Sequence, residues 1–341
     1  MRFPGRSANR SAKHRRRGPD RRPALVRWLD DARGHRSRVR RRRRLQRQVH
    51  RAAIAYAPLA IALTMLRKHL HLPPPLSLAI ASGAPLAVAA ALPPRSRIRY
   101  IAAGVAYMWL FEVSWELPAD DERTHRRRLR VDYPIRIDGF LAGGVPPGQR
   151  LQRRLREQGR LSALDRAVTL VYSSWFVPHA VLGYVLVRHP KFVPRAAGRL
   201  AASYHLTTPF YWFVPTAPPW WASQHADRMN GEVQRVARSV VCEVLHRPMP
   251  SEDDDVPGNP WGSMPSDHIS SAAITAMGLM EVNHVLGALG WIYVGSAAFA
   301  VVYLGEHYLV DVLAGLAVAE LVRRAEPLAA PLVRLVAYTL E

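Results

Sequence analysis

The sequence predicts an all-α fold, a polytopic bundle of membrane-spanning helices, from three observations. Residues of the apolar classes make up 49% of the 341. They gather in blocks that approach the ~20 residues a helix needs to cross a bilayer. The formal charge of +22 is segregated from those blocks, into the first fifty residues and the connections, the distribution that orients membrane helices. One cysteine, Cys242, excludes an internal disulfide and a cysteine-based zinc site. No apolar core stands behind the first charges to make a cleavable signal, so insertion falls to the first span.

Residues 1–49 read as a basic, disordered cytoplasmic tail, densest at Arg40 to Arg44. Val26-Arg27-Trp28-Leu29 reads as a short interfacial turn. The expected tail partner is anionic lipid, at about 1 kcal/mol per basic residue near the surface. Nucleic acid is not expected, because no aromatic interleaving or nucleic-acid fold signature accompanies the charge. Residues 50–117 hold N-terminal spans: Ala52 to Leu66, extended by snorkelling Arg51, Arg67 and Lys68; Leu76 to Leu92; and Ile98 to Leu117. Glu112 and Glu116 lie near the end of the third, where an acidic residue is either functional or merely wet.

Residues 118–163 form a polar connection with arginine clusters at 126–130 and 153–156. It is expected on the membrane surface as amphipathic helix with Leu151, Leu155 and Leu161 inward. Its arginines serve either as an anchor on anionic headgroups or as a funnel for an anionic substrate. Residues 164–325 are the core, with spans at Leu164 to Val187 and Leu200 to Val214, then two more between Ile269 and Leu304 that turn at Gly287-Ala288-Leu289-Gly290. His179 reads as a packed helix histidine. Tyr211 and His205 are expected to line a headgroup cavity. Pro215 to Trp221 opens a loop whose acidic run, Glu252 to Asp255, is taken as solvated. Residues 326–341 are a C-terminal segment. Counting crossings from a cytoplasmic tail puts the loops at 93–97, 188–199 and 290 inside, and the loop 215–267 outside.

The chemistry lies in two short segments, Met264-Pro265-Ser266-Asp267-His268 and Tyr303 to Asp311. One span out and one back return His307 to the membrane face of His268, with Asp311 one turn beyond. Two histidines with a carboxylate suit covalent phosphoryl transfer: His307 attacks phosphorus, Asp311 holds its imidazole in the right tautomer, and His268 protonates the leaving oxygen.

Pro-Ser-x-His at 265–268 and Tyr-Leu-Gly-x-His-Tyr-x-x-Asp-Val-x-Ala-Gly at 303–315 resemble the second and third motifs of the type 2 phosphatidic acid phosphatase (PAP2) superfamily. The likeness is greatest to its inositol phosphotransferase branch, which includes inositol phosphorylceramide synthase. Pro215 to Trp220, and Asp132 to Asp138 ahead of the pair Leu151-Gln152, are similar to segments of that branch. The resemblance implies a six-helix core with an extracytoplasmic site, in a bacterial cytoplasmic membrane. It also implies a lipid substrate and a metal-independent phosphohistidine reaction with no cofactor.

Asp267 stands where the superfamily commonly has Gly, and two further features depart from it. Val301 stands where much of it has Arg, and Val240 where the first-motif Lys belongs. Phosphate binding is therefore expected from Arg228, Arg235 and Arg238, with Ser266, and Val301→Arg is expected to be tolerated. Asp267, Tyr303, Trp220, Tyr211 and His205 are the expected substrate contacts. Two other functions fit the same residues: a carrier-lipid diphosphate phosphatase of envelope synthesis, and a catalytically retired lipid-binding scaffold. The sequence does not specify the oligomeric state.

Overall fold

The computed structural model describes residues 24–93, 96–157, 159–249 and 259–340. The tail up to residue 23 and the acidic run Glu252 to Asp255 lie outside the described residues. The chain divides into two compact units between residues 51 and 52, and apart from the bounds of the first helix everything below concerns the second. Among the described residues the secondary structure is helical, with only two isolated β-bridges.

The N-terminal helices are α1 (Ala24–Met65), α2 (Pro74–Ala91) and α3 (Arg97–Glu116). The apolar block at 52 is thus the end of a longer helix that begins at Ala24, where a tail and a short turn were expected. Ser96 caps α3 by accepting from the Arg99 amide. Of the two acids near the end of α3, Glu116 pairs with Arg67 at 2.8 Å.

The connection is not one amphipathic helix. It breaks into α4 (Glu122–Arg127), α5 (Asp132–Leu141) and α6 (Pro147–Leu155). Pro146, Pro147 and the left-handed Gly143 and Gly144 make the break after α5. Leu151 and Leu161 pack on the core as expected, but Leu155 is 43% exposed.

Then come α7 (Ala163–Ser173), α8 (Phe176–Arg188) and α9 (Val193–Phe213). A Ser162–Asp165 capping box starts α7. Helices α7 and α8 bend by 43° across Ser174-Trp175, and together they are long and apolar enough to be one broken span. Two further helices pass that test unaided, α2 and α13 (His284–Tyr303).

After α10 (Pro219–His225) and α11 (Val236–Val244), the centre of the bundle is the hairpin of α12 (Asp267–Val282) and α13, followed by α14 (Leu309–Leu340). The hairpin turns at Asn283, whose side chain accepts from the amides of Val285 and Leu286. The expected turn at Gly287 to Gly290 is instead inside α13. Those glycines serve close approach: a Cβ on Gly287 would lie 2.5 Å from the Met280 Cα, and one on Gly290 3.0 Å from that of Ala276. Small residues let two membrane helices touch backbone to backbone, so the sequence signal was one of packing.

Arg199 ties α9 to Glu281 of α12 (2.8 Å) and Glu326 of α14 (2.5 Å) at the far end of α12 from His268. Val301 is 1% exposed in the apolar core beside Ile269, Ala273 and Val312. An arginine there would bury an unpaired charge, which costs about 3–5 kcal/mol. The expectation that Val301→Arg is tolerated is therefore reversed.

Candidate active site

Two motif segments meet where α12 begins and α14 begins. Gly305 makes the turn out of α13 at φ +77°, and a Cβ there would meet the Gln234 carbonyl at 2.9 Å, so only glycine fits. The Val301 carbonyl accepts the amides of both Glu306 (3.0 Å) and His307 (3.1 Å), which fixes the backbone carrying the histidine.

His307 is 5% exposed. Its Nδ1 donates to the Ser263 carbonyl at 2.8 Å. A carbonyl can only accept, so this bond places the proton on Nδ1 and leaves Nε2 with the lone pair. Asp311 was expected to play that part, but its Oδ2 stands 3.4 Å from Nδ1. The same Oδ2 instead accepts from Ser263 Oγ (2.5 Å) and the Tyr308 amide (2.9 Å). Asp311 thus supplies negative charge beside the ring, and Ser263 touches both residues. Nothing in the sequence marked Ser263 beyond its place two residues before Pro265.

Three segments hold Ser263. Thr216 bridges Arg130 on one side and Gly262 on the other. The Thr216 amide donates to Trp261 O (2.8 Å) and the Ser263 amide to Thr216 O (3.3 Å). Gln152 ties α6 to the same region, donating to Tyr303 O (2.8 Å) and Gln234 O (3.0 Å) while accepting the Gln234 amide. From α5, the buried Asp138 reaches across and accepts the amides of Leu309 (2.9 Å) and Val310 (2.8 Å), capping the helix that carries Asp311. Burial raises the Asp138 pKa to about 6, against the pull of those two donors. These ties explain the segments 132–138 and 151–152: both brace the α13–α14 turn.

His268 lies on the first turn of α12, with its ring centroid 5.6 Å from that of His307. It stacks on Tyr172 (4.9 Å) and meets the edge of Trp175 (6.0 Å). Among the described residues no hydrogen bond reaches its ring. Both histidines line one cavity of about 240 Å³, together with Arg235, Trp220, Tyr211, Asp267 and Glu112.

Arg235 alone of the three expected arginines lines this cavity. It is held 3.1 Å from Glu306 and 4.4 Å over the Trp220 ring. Arg228 instead pairs with Asp132 at 2.8 Å, half exposed, and Arg238 does not reach the cavity. Ser266 is fully buried and does not line the cavity; its amide donates to Asp311 O and its hydroxyl has no partner among the described residues. Tyr303 points away and donates to Asp165 at 2.6 Å. His205 is bonded to Ala201 O and Tyr107 on α3, outside the cavity. Trp220, Tyr211 and Asp267 line the cavity. His179 is a packed histidine, its Nδ1 on Trp175 O at 2.8 Å.

A family model described as the PAP2 superfamily matches residues 144–323, just over half of the chain. The chain belongs to the PAP2 superfamily. The match spans α6 to the first half of α14, so both histidines lie inside it. Together with the apolar helices it makes this a membrane protein of the lipid phosphatase class. The match does not distinguish the inositol phosphotransferase branch. No curated protein and no solved structure gives a significant match.

Proposed function

We propose that this PAP2 protein transfers a phosphoryl or phospho-headgroup from a membrane lipid to water or a hydroxyl acceptor, through a phosphohistidine on His307. The observation that carries the reading is the 2.8 Å bond from His307 Nδ1 to the Ser263 carbonyl. It leaves Nε2 as an unprotonated nucleophile in a cavity shared with a second histidine.

In the first half-reaction Nε2 attacks phosphorus and the bond from phosphorus to the leaving oxygen breaks. Protonated His268 gives that oxygen its proton. The phosphorylated ring carries positive charge, which the Asp311 carboxylate 3.4 Å from Nδ1 stabilises. Arg235 faces the equatorial oxygens and takes the part of the missing family arginine. In the second half-reaction neutral His268 takes the proton of the acceptor hydroxyl, the acceptor oxygen bonds to phosphorus, and the P–N bond breaks. His307 returns to its starting tautomer. The chemistry needs no metal ion, because proton transfer and guanidinium charge do the work. The motif resemblance points to an inositol phosphate as one transferred group, and water as acceptor would make the protein a phosphatase.

The test uses purified protein with radiolabelled lipid phosphates, lipid diphosphates and phosphatidylinositol, in EDTA, with and without a ceramide, diacylglycerol or polyol acceptor. Acid-labile, alkali-stable label on His307 is expected during turnover. Free phosphate regardless of acceptor makes it a phosphatase; a new labelled lipid formed only with acceptor makes it a transferase. Tight lipid binding with no turnover of any substrate overturns the enzymatic reading in favour of a scaffold.

A further inference from the structure

The cavity is not uniformly suited to an anion. On the side of α10 and α11 it carries Arg235 and the indole of Trp220, a residue 2% exposed whose Nε1 has no hydrogen-bond partner. That side can take phosphate. Toward α3 and α9 it carries two carboxylates, the exposed Glu112 of α3 and Asp267 at the start of α12, and, among the described residues, no cation. Glu306 also lines the cavity, but Arg235 neutralises it.

Asp267 decides the matter. Both its carboxylate oxygens are buried and neither has a hydrogen-bond partner. The hydroxyls of Thr207, Tyr211 and Ser270 lie close enough to lower its charge cost, but their best-formed bonds go to backbone carbonyls. Thr207 donates to Tyr204 O (3.1 Å), Tyr211 to Pro265 O (2.6 Å) and Ser270 to the Asp267 backbone carbonyl (3.4 Å). Tyr204, 1% exposed and within electrostatic reach of both Asp267 and Glu112, has an unpartnered hydroxyl as well. Buried carboxylates are stable only when paired or hydrogen-bonded. This one lies at the cavity wall beside aromatic faces, so its missing partner belongs to a ligand.

We propose that Asp267 and Glu112 form a subsite for an ammonium-bearing headgroup, so that the substrate is a zwitterionic phospholipid of the phosphoamine type. The inference rests on the phosphotransfer reading only for where the phosphate sits. A phosphate alone, or a phosphorylated polyol, would bring further negative charge beside two carboxylates and offer only neutral hydroxyls in return. An ammonium tethered to the phosphate cancels that charge, donates to the unpartnered oxygens when it carries protons, and packs on the faces of Phe111, Trp115 and Tyr204. Asp267 is then a headgroup contact, which fits its lack of any bond to His268.

The test is equilibrium binding, read from the fluorescence of Trp115, Trp175 and Trp220 in the full-length protein in detergent micelles. The probes are phosphoethanolamine, phosphocholine, inositol 1-phosphate and glycerol 3-phosphate. At least one ammonium-bearing probe is expected to bind roughly tenfold more tightly than either polyol phosphate, and equally so in His307→Ala, where no chemistry occurs. Asp267→Asn is expected to remove most of that preference. Glu112→Gln is expected to weaken it, and serves alone if Asp267→Asn does not fold. Equal or tighter binding of a polyol phosphate overturns the subsite, as does a preference that survives both substitutions. A preference that holds while no lipid is turned over overturns the phosphotransfer reading and supports the subsite.

Discussion

The two histidines sit 5.6 Å apart, yet one ring is held by a hydrogen bond and the other only by ring faces. Around His307 the ring and its supports are tied down: Nδ1 to Ser263 O, Asp311 Oδ2 to Ser263 Oγ and the Tyr308 amide, and the backbone to Val301 O, although Asp311 Oδ1 and the Tyr308 hydroxyl have no partner among the described residues. Around His268 there are ring faces, an unpartnered carboxylate on the next residue and an unpartnered tyrosine hydroxyl. A nucleophile must be aimed before substrate arrives, and bonds that hold the ring in place reduce the reorganisation that the reaction requires. A recognition wall works the other way, because its free bonding capacity is what a ligand fills.

The contrast is testable, and the largest effect comes from its rigid half. His307→Ala is expected to abolish turnover, by about 10⁴-fold or more, whereas His268→Asn leaves more, with a loss of about 10²–10⁴-fold. Single-turnover labelling separates the two, since only His307→Ala removes the labelled intermediate. Equal residual labelling in both variants would show that the halves do not divide the chemistry in this way. Val301→Arg is next, with about 3–5 kcal/mol lost to a buried charge in the wall that holds the His307 backbone. A lowered melting temperature in detergent checks it; unchanged stability would mean that the core admits a guanidinium after all.

Ser263→Ala keeps the carbonyl on Nδ1 and removes the hydroxyl on Asp311. A fall in kcat of up to about 100-fold, with KM little changed, is expected. Matching losses in the two parameters would move Ser263 into substrate binding.

The smallest effect lies outside the site, at His125, which bonds Asn259 at 3.3 Å and packs on Trp261, the residue whose carbonyl holds Thr216. Burial lowers the His125 pKa below its ordinary value. The folded protein therefore favours the neutral ring. Its contribution to stability is full above about pH 6.5, the unfolded value, and is lost as pH falls through the lower folded value. Melting temperature is expected to decline modestly on acidification, and less so in His125→Gln; identical curves would remove His125 from this role.

The histidines could be named from sequence because each sits in a short string that resembles a motif of the superfamily. Distant partners had no such string. Asp138 caps a helix some 170 residues further on, and Gln152 bonds Tyr303 and Gln234, contacts that exist only once α5 and α6 dock. Two errors share a cause. The turn expected at Gly287 to Gly290, and the tolerance expected of Val301→Arg, both fail because a sequence does not say which neighbour will face a residue. Arg228 and Arg235 are alike by charge and nearness in the chain, but Arg235 lines the cavity while Arg228 pairs with Asp132.

By itself the sequence determined the helical membrane class and the pair His268 and His307, with Asp311 beside them. Apolar block length and residue spacing are local quantities, written along the chain. Only the tertiary structure decided that Ser263, not Asp311, holds the His307 proton, that Arg235 is the cation at the site, and that Asp267 faces the cavity unpartnered. Those outcomes depend on which groups are brought within about 3 Å of one another, the range in which a hydrogen bond is made or lost.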